Sequence, residues 1–142
     1  MTTCTLPAAG TGRARALRAP LATAGAAVAA TAYVGLVDPN RAGHYPTCPF
    51  LAITGYYCPG CGSLRAVHAL THGDVGAAIG LNVLTVVGIV VVTVFWGLWT
   101  LRAWRGTPRT GVAPAWTLYL AVGVVVTFWI VRNLTVGVAL AP

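Results

Sequence analysis

Three long apolar runs divide this chain: Leu21 to Val37, Ala77 to Leu101, and Pro114 to Val131. A helix that crosses a membrane needs about 20 predominantly apolar residues and rarely fewer than 17. The second run is the clearest. It is rich in Val, carries no charge from Val75 to Leu101, and has Asn82 as its one strongly polar residue. The third opens on Pro114, a residue suited to a first helical turn, and stops at Arg132-Asn133. The first is Ala-rich and marginal in length. It reads as a retained span that stops at Asp38-Pro39. The rival reading is a secretory leader, with a basic start and Ala30-Thr31-Ala32 as a cleavage site. In both cases the segment after Val37 emerges on the same side.

The stretches between the runs are polar or mixed. Residues 1–20 read as a disordered tail ending in a basic cluster, Arg13, Arg15 and Arg18. Residues 38–76 form the one long loop. Its first half holds Pro39, Pro46, Pro49 and Pro59 and should be irregular. From Ser63, the run Ser-Leu-Arg-Ala-Val-His-Ala-Leu-Thr-His predicts a short interfacial helix, with Ser63 as N-cap and Gly73 as its stop. Asp74 then caps the second span. Gly106 and Pro108 make a tight connection to the third span, and residues 134–142 are a tail too short to cross again. The fold class is therefore an all-α membrane protein. A basic tail (1–20) precedes one membrane domain (21–133), whose cysteine-bearing loop (38–76) lies between the first two of three spans.

Composition agrees. Hydrophobic residues are 57% and charged residues 8%, against roughly 25% charged in a soluble domain; such a chain cannot cover itself with a water-facing surface. The net charge of +7 comes from Arg without Lys. These Arg residues flank the apolar runs and form no continuous patch, so nucleic acid is excluded as a partner and lipid is the expected one. Arg without Lys, with abundant Ala, Gly and Val, fits a GC-rich bacterial genome. Short cytoplasmic loops carry the excess of Arg and Lys. Arg13, Arg15 and Arg18, and then Arg102, Arg105 and Arg109, outnumber Arg41 and Arg65 in the long loop and Arg132 after the third span. The expected topology places the N-terminus in the cytoplasm of a bacterial inner-membrane protein, with the cysteine loop and C-terminus outside. Trp99, Trp104, Trp116 and Trp129 and Tyr56 and Tyr57 sit near span edges, where amphipathic rings favour the lipid–water boundary.

The chemistry lies in the loop. Cys48, Cys58, Cys61, Arg65, His68, His72 and Asp74 fall close together, whereas Cys4 stands alone in the tail. Three readings are open. Tetrahedral zinc takes four Cys or His ligands, and Cys48, Cys58, Cys61 and His68 would suffice, with His72 or His44 as substitutes. A thiol–disulfide exchanger would use Cys58 and Cys61 just before a helix, whose N-terminus lowers a thiol pKa, with Cys48 as resolving partner. A brace would pair Cys48 with Cys58 or Cys61, closing a short loop at a gain of roughly 3 kcal/mol.

Arg65, His68 and His72 share a helix face, which either meets lipid headgroups or faces Cys58 and Cys61. Asn82, inside the membrane, should hydrogen-bond another helix. Arg132-Asn133 should anchor the third span, with Asp38 and Asp74 as candidate partners for Arg132. No phosphate-binding Gly loop, nucleophile elbow or His-Glu-x-x-His motif is present.

The loop resembles the DUF2752 family of bacterial multi-pass membrane proteins. The resemblance rests on Cys48-Pro49-Phe50, Thr54-Gly55, Cys58-Pro59-Gly60-Cys61-Gly62, Arg65-Ala66, His68, Gly73-Asp74 and Asn82, with Asp38-Pro39 and Arg132-Asn133 as outer landmarks. One departure is Asn82-Val83, where the family pattern has Asn-Pro. The resemblance implies a compact multi-pass protein in which Cys48, Cys58, Cys61, Arg65, His68 and Asp74 form one cluster. It implies no activity. The expected function is a binding or structural membrane module stabilised by a disulfide or zinc rather than an enzyme; the alternative is a membrane thiol oxidoreductase. A membrane-protein partner or a second copy is compatible with either.

Overall fold

A computed structural model describes residues 9–41, 43–46, 48–107 and 114–134, with side chains from Gly12 onward. All regular elements among them are helices: α1 (Ala9–Leu36), α2 (Pro49–Thr54), α3 (Ser63–Thr71), α4 (Val75–Arg105) and α5 (Ala115–Arg132). Three stretches are long and apolar enough to cross a membrane: Gly12–Leu36, Val75–Arg105 and Ala115–Arg132. The expected all-helical, three-span architecture is the one observed, with the cysteine loop between the first two spans. The Gly106–Pro108 connection and the 134–142 tail fall largely outside the described residues.

Helix α1 corrects the expected tail, because it already begins at Ala9. The Arg-Ala-Arg-Ala-Leu-Arg stretch from Arg13 is made of strong helix formers, which extend the apolar segment backwards. At 1.5 Å per residue α1 is roughly 42 Å long, more than the ~30 Å hydrocarbon layer, so its Arg-bearing first turns project beyond the lipid core. Pro20 interrupts α1 without ending it. Its carbonyl accepts from Thr23 Oγ1 at 2.9 Å and from Trp96 Nε1 of α4 at 3.1 Å. Arg13 lies over the Trp104 ring at 5.9 Å. These two contacts align α1 antiparallel to α4, with the start of α1 beside the end of α4.

The loop is more ordered than expected. Pro49 opens α2 and Gly55, at φ 73°, closes it, a Pro-first, Gly-last pattern. Six residues are too few to show a helical period, so the sequence could not reveal this element. Helix α3 appears where expected, but Ser63 is not its cap. Gly62, at φ 81°, holds the cap position with no side-chain bond. The Ser63 hydroxyl pairs instead with Thr85 Oγ1 of α4 at 2.7 Å. Asp74 caps α4 as expected, accepting from the Ala77 amide at 2.8 Å.

Helix α4 is not one continuous helix. Asn82 leaves helical geometry (φ −165°, ψ 92°), so a short piece from Val75 precedes a second helix that starts after it. The Asn82 carboxamide accepts from the Thr85 amide at 3.0 Å, which makes Asn82 the N-cap of the longer, membrane-crossing part. The break occurs here with Val83 following, without a proline.

Helix α3 packs against α1 and α4, which also touch each other. Gly35 of α1 approaches Thr71 of α3 so closely that a Cβ there would sit 3.1 Å from Thr71 Oγ1. Few side chains are buried among the described residues: Pro20, Val34, Cys61, Ala66, Ala78, Asn82 and Arg132. Large apolar residues face outward along the spans, among them Phe95 (68% exposed) and Tyr119 (74%). Such outward apolar faces suit a membrane interior. Apart from Pro20, which lies against Trp96, the buried set gathers at one end of the bundle, around the cysteine loop.

Candidate metal centre

The C-terminal end of α1, the N-terminal end of α4 and the C-terminal end of α5 meet at the loop, which spans them. Cys48 precedes α2, and Cys58 and Cys61 flank the Pro59-Gly60 turn, closed by the Cys61 amide on the Cys58 carbonyl at 3.1 Å. Cys58 Sγ lies 3.1 Å from Cys61 Sγ and 3.6 Å from Cys48 Sγ. All three sulfurs fall within 4.8 Å of one another. The expected brace is not what the structure holds, since Cys48, Cys58 and Cys61 are free thiols.

Two effects separate the thiols. Cys61 is buried, and burial pushes its pKa up to about 12, with the Cys58 thiol adding to the rise. Cys48 is half-buried at the start of α2. The Leu51 amide points at its sulfur without closing a full cap bond and holds its pKa below the ordinary cysteine range.

Three polar side chains of the spans hold this loop. Asn82, 1% exposed, donates its carboxamide hydrogens to the Pro59 carbonyl (2.9 Å), the Cys61 carbonyl (3.0 Å) and Ser63 Oγ (3.3 Å). Asn133 accepts from the Tyr57 amide and donates to the Tyr57 carbonyl, both at 2.9 Å. Arg132, also 1% exposed, donates to the Cys58 carbonyl (3.4 Å) and to the Leu81 carbonyl (3.2 Å) beside the α4 break. Its guanidinium lies over the Tyr57 and Phe128 rings. Its Nε has no hydrogen-bond partner among the described residues. Arg132 pairs with neither Asp38 nor Asp74; its bonds go to the Cys58 and Leu81 carbonyls. Phe50 of α2 meets Trp129 of α5 edge to face at 5.8 Å.

The expected cluster is thus divided. Cys48, Cys58 and Cys61 come together, and Arg65 lines a cavity with Cys48 and Cys61. His68 does not join them. Its Nδ1 lies 2.8 Å from the Val34 carbonyl and its Nε2 3.8 Å from Asp38. Asp38 is itself held by the Asn40 amide and side chain, which lower its pKa. His72 stacks on His68 and is hydrogen-bonded to the His68 carbonyl at 2.9 Å. His44 is exposed, and Asp74 serves as a helix cap. Among the described residues, the group able to hold a metal is Cys48, Cys58 and Cys61 alone. Cys4 lies outside the described residues.

What sequence reasoning missed is the inward role of Arg132 and Asn133. An Arg at the end of an apolar run is ordinarily a membrane flank, and only the loop's return to this end brings it a buried setting. A signal was present in Arg132-Asn133 standing as a pair at the end of a span.

The fold and site together define a small multi-pass helical membrane protein with a three-thiol cluster secured at one end of its bundle. Residues 48–96 match the model of the family described as "Protein of unknown function (DUF2752)", which bears out the resemblance seen in the motif. No curated protein and no solved structure matches the chain.

Proposed function

We propose that this protein is a metal-binding membrane module, in which Cys48, Cys58 and Cys61 hold a divalent ion of zinc type at the end of the helical bundle. The carrying observation is the mutual approach of the three sulfurs. Two thiolates on a tetrahedral zinc, each about 2.3 Å from the metal, stand roughly 3.8 Å apart. The spacings of 3.1 and 3.6 Å, with all three sulfurs within 4.8 Å, need only small side-chain shifts to reach that geometry. Arg132 supports the same reading. A divalent ion with three thiolates carries excess negative charge, and Arg132 is a buried cation with no carboxylate partner among the described residues. Metal binding would also ionise Cys61, whose thiol is otherwise held neutral by burial.

The arginine distribution supports an orientation with this end outside a bacterial inner membrane. Arg13, Arg15, Arg18, Arg102 and Arg105 gather at the opposite end, where α1 begins and α4 ends.

A second reading rests on the 3.1 Å approach of Cys58 and Cys61. In thiol exchange with a partner's disulfide, the two thiols would form a disulfide and the partner would leave as a dithiol. Native mass spectrometry of the gently solubilised chain, repeated after denaturation, separates the two. An added metal mass that is lost on unfolding, and missing from Cys61→Ser, is the expected result. A native mass lighter by two hydrogens and free of metal would overturn the metal reading in favour of exchange.

A further inference from the structure

The metal reading leaves the coordination incomplete. Zinc in structural sites is closed by four protein ligands, whereas sites that act on a ligand keep one position open. Among the described residues no fourth Cys, His, Asp or Glu joins the three sulfurs. The fourth ligand expected from the sequence, His68, is turned away between the Val34 carbonyl and Asp38, and His44 is exposed. Cys48 and Cys61 instead line a cavity of about 430 Å³, within the size range of small-molecule sites.

The cavity wall is cationic. Arg41 and Arg65 line it, together with Tyr57 and Ser63. Arg41 is mostly exposed and loosely paired with Asp38 at 3.9 Å. Arg65 is half-buried, and its guanidinium has no hydrogen-bond or ion-pair partner among the described residues. Among the described residues, no acid lines the cavity. A metal held by thiolates prefers a soft donor, and an unpaired guanidinium prefers a carboxylate or similar anion.

Building on the metal reading, we propose that the fourth position takes an external anionic thiol, whose sulfur reaches the ion through this cavity while its acid group meets Arg65. On binding, the thiol gives its proton to solvent, its sulfur forms the fourth bond to the metal, and the water holding that position leaves. No electron is transferred. The ligand class is a small molecule carrying both a thiol and a carboxylate.

The test uses the full chain in detergent, loaded with Co²⁺ as a coloured stand-in for zinc and titrated with mercaptoacetate or with neutral 2-mercaptoethanol. Cys61→Ser sets the baseline. Mercaptoacetate should add sulfur-to-cobalt charge-transfer intensity up to one equivalent per metal, with the cobalt retained after desalting. It should bind more tightly than 2-mercaptoethanol by about fivefold, the upper range for a partly exposed ion pair, and Arg65→Gln should abolish that preference while leaving cobalt content unchanged. If cobalt binds but neither thiol alters its spectrum, the open position is refuted and the metal reading stands. If the preference survives in Arg65→Gln, the assignment of the acid group to Arg65 is refuted. If no cobalt binds, the metal reading falls and takes this inference with it.

Discussion

Asn82→Ala should loosen the cysteine loop and the long part of α4 together. The Asn82 side chain makes two separable sets of bonds. It caps the membrane-crossing helix through the Thr85 amide, an interaction whose loss costs roughly 1 kcal/mol. It also donates to the Pro59 and Cys61 carbonyls, and each such bond contributes about 0.5–1.5 kcal/mol, with a larger penalty where the abandoned carbonyl stays buried. The sum is about 3 kcal/mol, which for a chain of this size corresponds to a fall in Tm on the order of 10 °C. Differential scanning fluorimetry in detergent reads the Tm, and elemental analysis of the same samples reads the metal, which should fall with it. Asn82→Asp separates the two roles. Aspartate caps helices as well as asparagine does, but it has no hydrogens to donate to the loop carbonyls. It should therefore fail to restore metal content. Full rescue by Asp would show that Asn82 only caps α4, and an unchanged Tm in Asn82→Ala would refute the whole account.

Arg132→Met should lower metal affinity by roughly tenfold, since a charge-assisted bond to the loop contributes about 1.5–3 kcal/mol and the thiolate centre loses its buried counter-charge. A competition titration with a chromogenic chelator measures this, and circular dichroism should show the helices intact. Gly62→Ala places a side chain at φ 81°, a conformation that costs an L-residue roughly 1–2 kcal/mol. It should lower the Tm by a few degrees, whereas Gly12→Ala, inside α1 where an added Cβ meets nothing within 4 Å, should leave it unchanged or raise it slightly.

Sequence alone determined the class of this protein. The spans were legible because hydrocarbon demands long uncharged runs with internally satisfied backbones, a requirement written residue by residue. The Asp74 cap was legible for a similar reason, since a cap acts on its own first turn. The cysteine spacing marked the loop as the site. Tertiary structure decided the rest, because it depends on which distant segments meet. It took His68 out of the thiol cluster, since the end of α1 offers it the Val34 carbonyl and Asp38. It turned Ser63 from a cap into a partner of Thr85. Asn82 is one polar residue in an apolar run when read along the chain; folded, it breaks α4 and ties down the turn between Cys58 and Cys61. Arg132 reads locally as a membrane flank, yet the loop folds back over the end of α5 and encloses it. A flank in water and a buried counter-charge look the same in sequence. What separates them is solvent access, which only the packing of α5 against the loop and α4 determines.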